Sequence, residues 1–236
     1  MTDVVFEDAW PSFDADGRRL GVLATGLTEG APLGTTRDGQ PAGLALVGPA
    51  PVRIAVIGQA WLASLLAVRG AVLGATVVVA TERPAPWHLL LRAAGGAPFA
   101  TVVPPGTSAG NSAGGPGASI ATPVLTLHDG GAGADSALAR APWQTSVHLV
   151  FRAAGQPTAV LDAADVVLVP AIPAEEVAAV GQALRLPEPV AAQLSGLGPA
   201  EVLVASRQRT AIVTVQATPG ELALLRAGDP VGYPAG

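Results

Sequence analysis

The stretch from Arg53 to Trp87 sets what this chain can fold into. It opens on a short apolar run, Arg53-Ile54-Ala55-Val56-Ile57-Gly58. From Trp61 to Gly74, Leu62, Leu65, Leu66, Arg69 and Leu73 recur at helical spacing. Ala75-Thr76-Val77-Val78-Val79-Ala80-Thr81 is apolar and β-branched, and Glu82-Arg83-Pro84 and Trp87 close the segment. Strand, helix and strand in that order read as a βαβ unit. Both strands are apolar on both faces, as in a parallel sheet covered by helices on each side. The expected fold is therefore α/β: a Rossmann-like, mostly parallel sheet with flanking helices, preceded by an N-terminal antiparallel β meander.

The same segment has one competing reading. Ala60 to Ala80 has roughly the length of a membrane span. Arg69 at its centre argues against that, because an arginine at bilayer depth costs at least about 2.5 kcal/mol. The buried βαβ unit is the preferred reading. The N-terminus, Met1 to Asp8, has neither a basic nor an apolar region of the secretory kind.

The rest of the chain divides around this unit. Residues 1–50 read as a β-rich meander with two Asp-Gly turn signals, Asp16-Gly17 and Asp38-Gly39. Return strands are expected at Leu20 to Leu27 and Leu44 to Val47. Residues 51–227 form the α/β domain. Within it, Trp87 to Ala94 is an expected helix and Pro98 to Val103 a strand. Residues 104–119 are dominated by Gly, Ala, Ser and Pro and read as a mobile loop. Ala121 to His128, Thr145 to Arg152, Thr158 to Leu161 and Asp165 to Val169 are expected strands. Pro173 opens a helix with Glu175 and Glu176 in its first turn, where the dipole favours acid. Pro189 to Leu194 is a second helix. Glu201 to Ser206 and Thr210 to Gln216 form a hairpin, Pro219 to Leu225 a last helical stretch, and residues 228–236 a flexible tail.

Composition narrows the function. The 13 basic residues are all Arg, and the net charge is −5. A general nucleic-acid binder needs a basic stripe, so no nucleic-acid partner is expected. With no Cys there is neither a disulfide framework nor a cysteine metal site. A dinucleotide fingerprint would need three glycines after Ile57, but Gly58-Gln59-Ala60-Trp61-Leu62-Ala63 holds one. A P-loop needs a lysine, and the chain has none. Gly58 before a helix start can still meet an anion through backbone N–H groups. Its plainer reading is a tight strand-to-helix turn.

Other candidate groups divide the same way. Asp14-Ala15-Asp16 has the spacing of a metal-holding carboxylate pair, but Asp-Gly makes a turn by itself. His88, His128 and His148 are dispersed. His128-Asp129 ends an expected strand, where catalytic groups can sit, and reads more plainly as a polar loop start. Ser108, Ser112 and Ser119 lie in low-complexity sequence with no nucleophile elbow. Asp162 and Asp165 flank a strand and read as groups that cap or solvate it. Arg207 and Arg209 lie in a hairpin turn. No catalytic, cofactor-binding or metal residue is assigned on these patterns.

Several segments together resemble a known family. These are Trp61-Leu62-Ala63, Leu65-Leu66-Ala67-x-Arg69, Gly74-Ala75-x-Val77-Val78-Val79 and Thr81-x-Arg83-Pro84-x-x-Trp87. Ala164-Asp165-Val166-Val167-Leu168, Glu175-Glu176 and Ala183-Leu184-x-Leu186-Pro187 continue the pattern. Over Leu44 to Leu225 the chain resembles the cytosolic domain of EccE, a membrane-associated component of actinobacterial type VII (ESX) secretion systems. The two transmembrane helices usual in that family are not seen before residue 50.

The resemblance implies a non-enzymatic accessory component that works through protein–protein contacts, with secretion-complex subunits as partners and no cofactor. It implies a cytoplasmic location, at the inner membrane face through those partners. Trp61, Arg69, Arg83 and Trp87 then read as packing and surface residues. The alternative is a nucleotide- or nucleotide-sugar-binding α/β enzyme using the strand end at Gly58 and the carboxylates Asp14, Asp16 or Asp129. In open α/β sheets, ligands sit at the carboxyl ends of the strands, at a topological switch point.

Overall fold

A computed structural model of the chain describes residues 12–13, 19–20, 23–24, 30–93, 100–105, 118–129, 141–150, 158–207 and 209–228. The expected βαβ unit is present as β6 (Val52–Ile57), α1 (Ala60–Val72) and β7 (Thr76–Thr81). After it come α2 (Pro84–Ala93), β8 (Ala100–Val103), β9 (Val124–Asp129) and β10 (Gln144–Val150). The chain continues through α3 (Thr158–Ala163), β11 (Val166–Pro170), α4 (Ala174–Ala183) and α5 (Glu188–Ala191). A 3-10 turn at Leu194–Gly196, β12 (Glu201–Ser206), β13 (Thr210–Val215) and α6 (Pro219–Gly228) complete it. Ahead of the unit lie β1 (Ser12–Phe13), β2 (Arg19–Leu20), β3 (Leu23–Ala24), β4 (Ala31–Thr36) and β5 (Pro41–Leu44).

One 11-stranded sheet runs in the order β3-β5-β4-β13-β12-β11-β6-β10-β9-β7-β8. From β8 across to β11 every pairing is parallel. From β11 to β3 every pairing is antiparallel. The expected α/β sheet with flanking helices and an antiparallel N-terminal part is what forms. The N-terminal strands join the rest of the sheet through β13, which pairs with β4 over Thr36 to Gly34. Gly34 permits that approach, since a Cβ there would stand 1.9 Å from the Thr214 carbonyl oxygen. Among the described residues no helix is long and apolar enough to cross a membrane.

Alternation along the strands builds two cores. On β6, Val52, Ile54 and Val56 face one side and Ala55 and Ile57 the other. Val166 and Leu168 of β11 join the first set, and Val167 and Val169 the second. The first core holds α1, with Trp61, Leu62, Leu65 and Leu66, and also Trp87 and Leu91 of α2 and Leu225 of α6. The second holds Val160 and Leu161 of α3 and Val180 of α4. Helix α1 is buried from Trp61 through Gly70, so its apolar leucines pack on both sheet and helix. Each fully buried leucine contributes about 1.5–3 kcal/mol from area removed from water.

Four local expectations are corrected. Thr158 to Leu161 is the start of α3, not a strand. The β10-to-β11 connection joins two parallel strands that both border β6, and such a crossover needs a helix; tertiary context outweighs the β-branched Thr158 and Val160. The strand expected at Leu44 to Val47 lies at Pro41–Leu44, because the Asp38-Gly39 turn brings the return strand in directly behind it. The strand expected from Ala121 begins at Val124, after a turn in which the backbone N–H groups of Ser119 and Thr122 each reach the other's carbonyl. Helix α2 begins at Pro84 rather than Trp87, with proline in its favoured first position. Asp14, Asp16, Ser108 and Ser112, most of the 104–119 loop and the tail beyond Gly228 lie outside the described residues.

Candidate functional site

The carboxyl ends of the parallel strands form the candidate site. Strand β6 feeds α1 on the first core face, whereas its neighbour β10 feeds α3 on the opposite face. Two adjacent parallel strands whose connections leave to opposite faces define a topological switch point. The turn Gly58-Gln59 occupies it. Gly58 adopts φ +79°, a conformation that costs glycine little. Its N–H donates to the Val150 carbonyl at 2.7 Å, tying the turn to the end of β10. A Cβ at Gly58 would meet nothing within 4 Å, so the backbone there faces open space. Helix α1 starts without a side-chain cap on Gln59 and with no acid in its first turn. Its positive dipole end is left uncompensated by side chains.

Two strands along, the end of β9 is built differently. Asp129 is buried, and its carboxylate collects donors from β7 and α2. Oδ2 accepts from the Thr81 hydroxyl at 2.8 Å and from Trp87 Nε1 at 2.7 Å. Oδ1 accepts from Arg83 Nη2 at 2.8 Å. Thr81 also accepts the Arg83 backbone N–H at 2.8 Å. The carboxylate thus fixes the turn between β7 and α2. The loop reading of His128-Asp129 does not hold, since both lie in β9; Trp87 packs in the first core and Arg83 is exposed, as expected, and each also donates to Asp129. A signal was present in the sequence: Thr81, Arg83 and Trp87 are three donors set around a helix start, with an acid closing a later strand.

His128 and His148 stand opposite each other on β9 and β10. Their rings stack at 4.4 Å between centroids, 10° from parallel. Both are buried, beside Thr126 and Ser146. Neither ring nitrogen of His148 has a hydrogen-bond partner among the described residues. Burial, with a smaller push from His128, lowers the His148 pKa from 6.5 to about 3, so the ring is neutral near pH 7. In the unfolded chain it protonates below about 6.5. Stability is therefore full above that value and falls as pH drops from about 6.5 towards 3. At pH 5 the expected loss from this group is about 2 kcal/mol. Urea titrations at pH 7.5 and 5 test it, with His148→Leu expected to flatten the slope. An unchanged slope in that variant would remove His148 as the cause.

The remaining candidates have structural employment. Asp165 is not a strand cap: its Oδ2 accepts from Arg53 N at 2.9 Å and Nε at 3.1 Å, and Oδ1 accepts from Nη2 at 2.9 Å. The pair locks the start of β6 to β11. Arg207 Nη2 donates to the Asp162 carbonyl at 3.3 Å. Arg69, expected as a packing residue, is a buried ion-pair partner of Glu221 at 2.7 Å. Ser119 pairs with Thr122 at 2.8 Å, and His88 lies in α2. Among the described residues no group of three His, Asp or Glu could hold a metal ion.

No family model matches the chain, and no curated protein is significantly similar to it. Among solved structures it is similar to VirB4 of Thermoanaerobacter pseudethanolicus, at 10% identity and a TM-score of 0.57, over 84% of this chain and 99% of that one. A weaker likeness is to B204, the DNA-packaging ATPase of Sulfolobus Turreted Icosahedral Virus, at 10% identity and a TM-score of 0.49, over 71% of this chain and 98% of that one. At such identities the likeness is one of fold. A likeness of fold gives no support to the expectation of a chain that is not an enzyme, and that expectation is not kept.

Proposed function

We propose that the chain is a nucleotide-binding α/β enzyme whose ligand lies across the carboxyl ends of β6, β10 and β9. The observation that carries this reading is the switch point between β6 and β10, where Gly58 faces open space beneath the uncapped start of α1. Backbone N–H groups and a helix dipole suit a phosphate there. With no lysine in the chain, the P-loop mode of phosphate capture is replaced by backbone donors. The ligand class is a nucleotide or a nucleotide sugar. Thermal shift with ADP, ATP and UDP-sugars, each with Mg²⁺ or Mn²⁺, tests it. A ligand at 100 times its dissociation constant stabilises by about 2.7 kcal/mol, and Gly58→Ala should weaken that response. No shift with any nucleotide at millimolar concentration would sink the reading.

A second reading follows from the EccE resemblance and is favoured by exposed apolar side chains. Val72 and Leu73 at the end of α1 are 81% and 43% exposed, and Ile120 is 74% exposed. In this reading the chain is a subunit of a type VII secretion complex on the cytosolic side, with protein subunits as partners. Co-purification of secretion subunits from native membranes would support it; recovery without partners would count against it.

A further inference from the structure

Arg83 combines two properties that seldom occur together. Its side chain is 59% exposed, yet it is pinned through Nη2 by a carboxylate whose own side chain is 0% exposed. An exposed arginine normally wanders, and a surface ion pair alone contributes little. Here the anchor is a buried acid already fixed by Thr81 and Trp87. The guanidinium's position is therefore set before any ligand arrives, and ordering it on binding costs little. A guanidinium presents five donors in a planar fork that matches phosphate oxygens.

Its place in the sheet adds to this. Thr81, Asp129, Leu149 and Val56 lie in one row across β7, β9, β10 and β6. Arg83 is two residues beyond Thr81 and Gly58 two residues beyond Val56. The two positions thus stand at the same end of the sheet, three strand spacings or roughly 14 Å apart. A nucleoside di- or triphosphate can bridge that span.

We propose that Arg83 reads a phosphoryl group of the ligand at this end of the sheet, with Asp129 as its positioning residue. The inference rests on the nucleotide reading above. Isothermal titration of the full chain with a nucleoside, its mono-, di- and triphosphates, and inorganic phosphate tests it. Arg83→Met should weaken the phosphorylated ligands about tenfold or more. It should leave nucleoside affinity unchanged, while the unliganded melting temperature falls because the buried Asp129 carboxylate loses its charge partner. Arg83→Lys should recover only part, since a point charge cannot replace the fork. Asp129→Asn should lower the ratio of phosphorylated to nucleoside affinity, which a merely structural role would not move. Equal affinity of Arg83→Met and wild type for every phosphorylated ligand would overturn the assignment while leaving the nucleotide reading intact. Arg83-dependent binding of inorganic phosphate with no binding of nucleoside or nucleotide would keep Arg83 and overturn the nucleotide reading. No binding of any ligand would overturn both.

Discussion

Asp129→Ala is expected to cost about 3–5 kcal/mol of folding free energy, chiefly from two buried donors left without their acceptor. The carboxylate accepts from Thr81, Trp87 and Arg83 at once. Its removal leaves the Trp87 indole N–H and the Thr81 hydroxyl without this acceptor inside the protein, and a buried donor left unmet costs about 1–3 kcal/mol. Most of the loss comes from those two groups rather than from Arg83, which is half in solvent. Asp129→Asn, which keeps one acceptor oxygen, should cost clearly less. Urea denaturation of both variants measures this. A loss below about 1 kcal/mol for the alanine variant would show that Asp129 does not hold the β7–α2 turn.

Arg69→Met should have an effect of similar size, about 3–5 kcal/mol. The methionine keeps the apolar stem and removes only the fork. That fork donates Nε and Nη2 to Glu221 at 2.7 and 3.1 Å, Nη2 to the Gln216 carbonyl at 2.6 Å, and Nη1 to the Pro32 carbonyl. One side chain thus ties α1 to β4, to the end of β13 and to α6. Glu221 is shared with a capping box: it accepts from the Thr218 N–H at 2.7 Å and donates its own N–H to the Thr218 hydroxyl at 3.2 Å. Burial alone would raise the Glu221 carboxyl, but Arg69 and Thr218 together hold it below its usual value. That contribution is present above the unfolded pKa and is lost as pH falls through the lower folded one. Pairing Arg69→Met with Glu221→Gln should recover part of the loss, because the stranded carboxylate is gone. Single and double variants whose losses simply add would show that the two groups are not coupled.

Local pattern carried the architecture and missed the pairings. The apolar runs at Val52–Ile57, Thr76–Thr81 and Val166–Pro170 are buried on both faces, so their composition alone marked a covered parallel sheet. Glu201–Ser206 and Thr210–Val215 were legible from alternation and the turn between them. Helix α3 was not, because its six residues carry no amphipathic period and the topology alone requires it. The partners of Asp129, Arg69 and Asp165 lie 42–48, 37–152 and 112 residues away. Such pairings leave no trace in local spacing. Gly58 was legible as a turn, but the opposite exits of β6 and β10 that make it a switch point exist only in the folded sheet.

The place of β13 has a consequence for how the chain is made. It lies between β12 and β4, so the edge of β4 at Gly34 to Thr36 that does not face β5 finds its partners in Val213 to Val215. A ribosome delivers those partners only after all the parallel strands. The parallel strands from β6 to β11 can assemble while synthesis continues, but β4 must wait, with one edge unpaired, until β13 emerges. Closing so long a loop is slow compared with forming local contacts. During that interval the waiting edge is the surface most open to wrong pairing with another nascent chain.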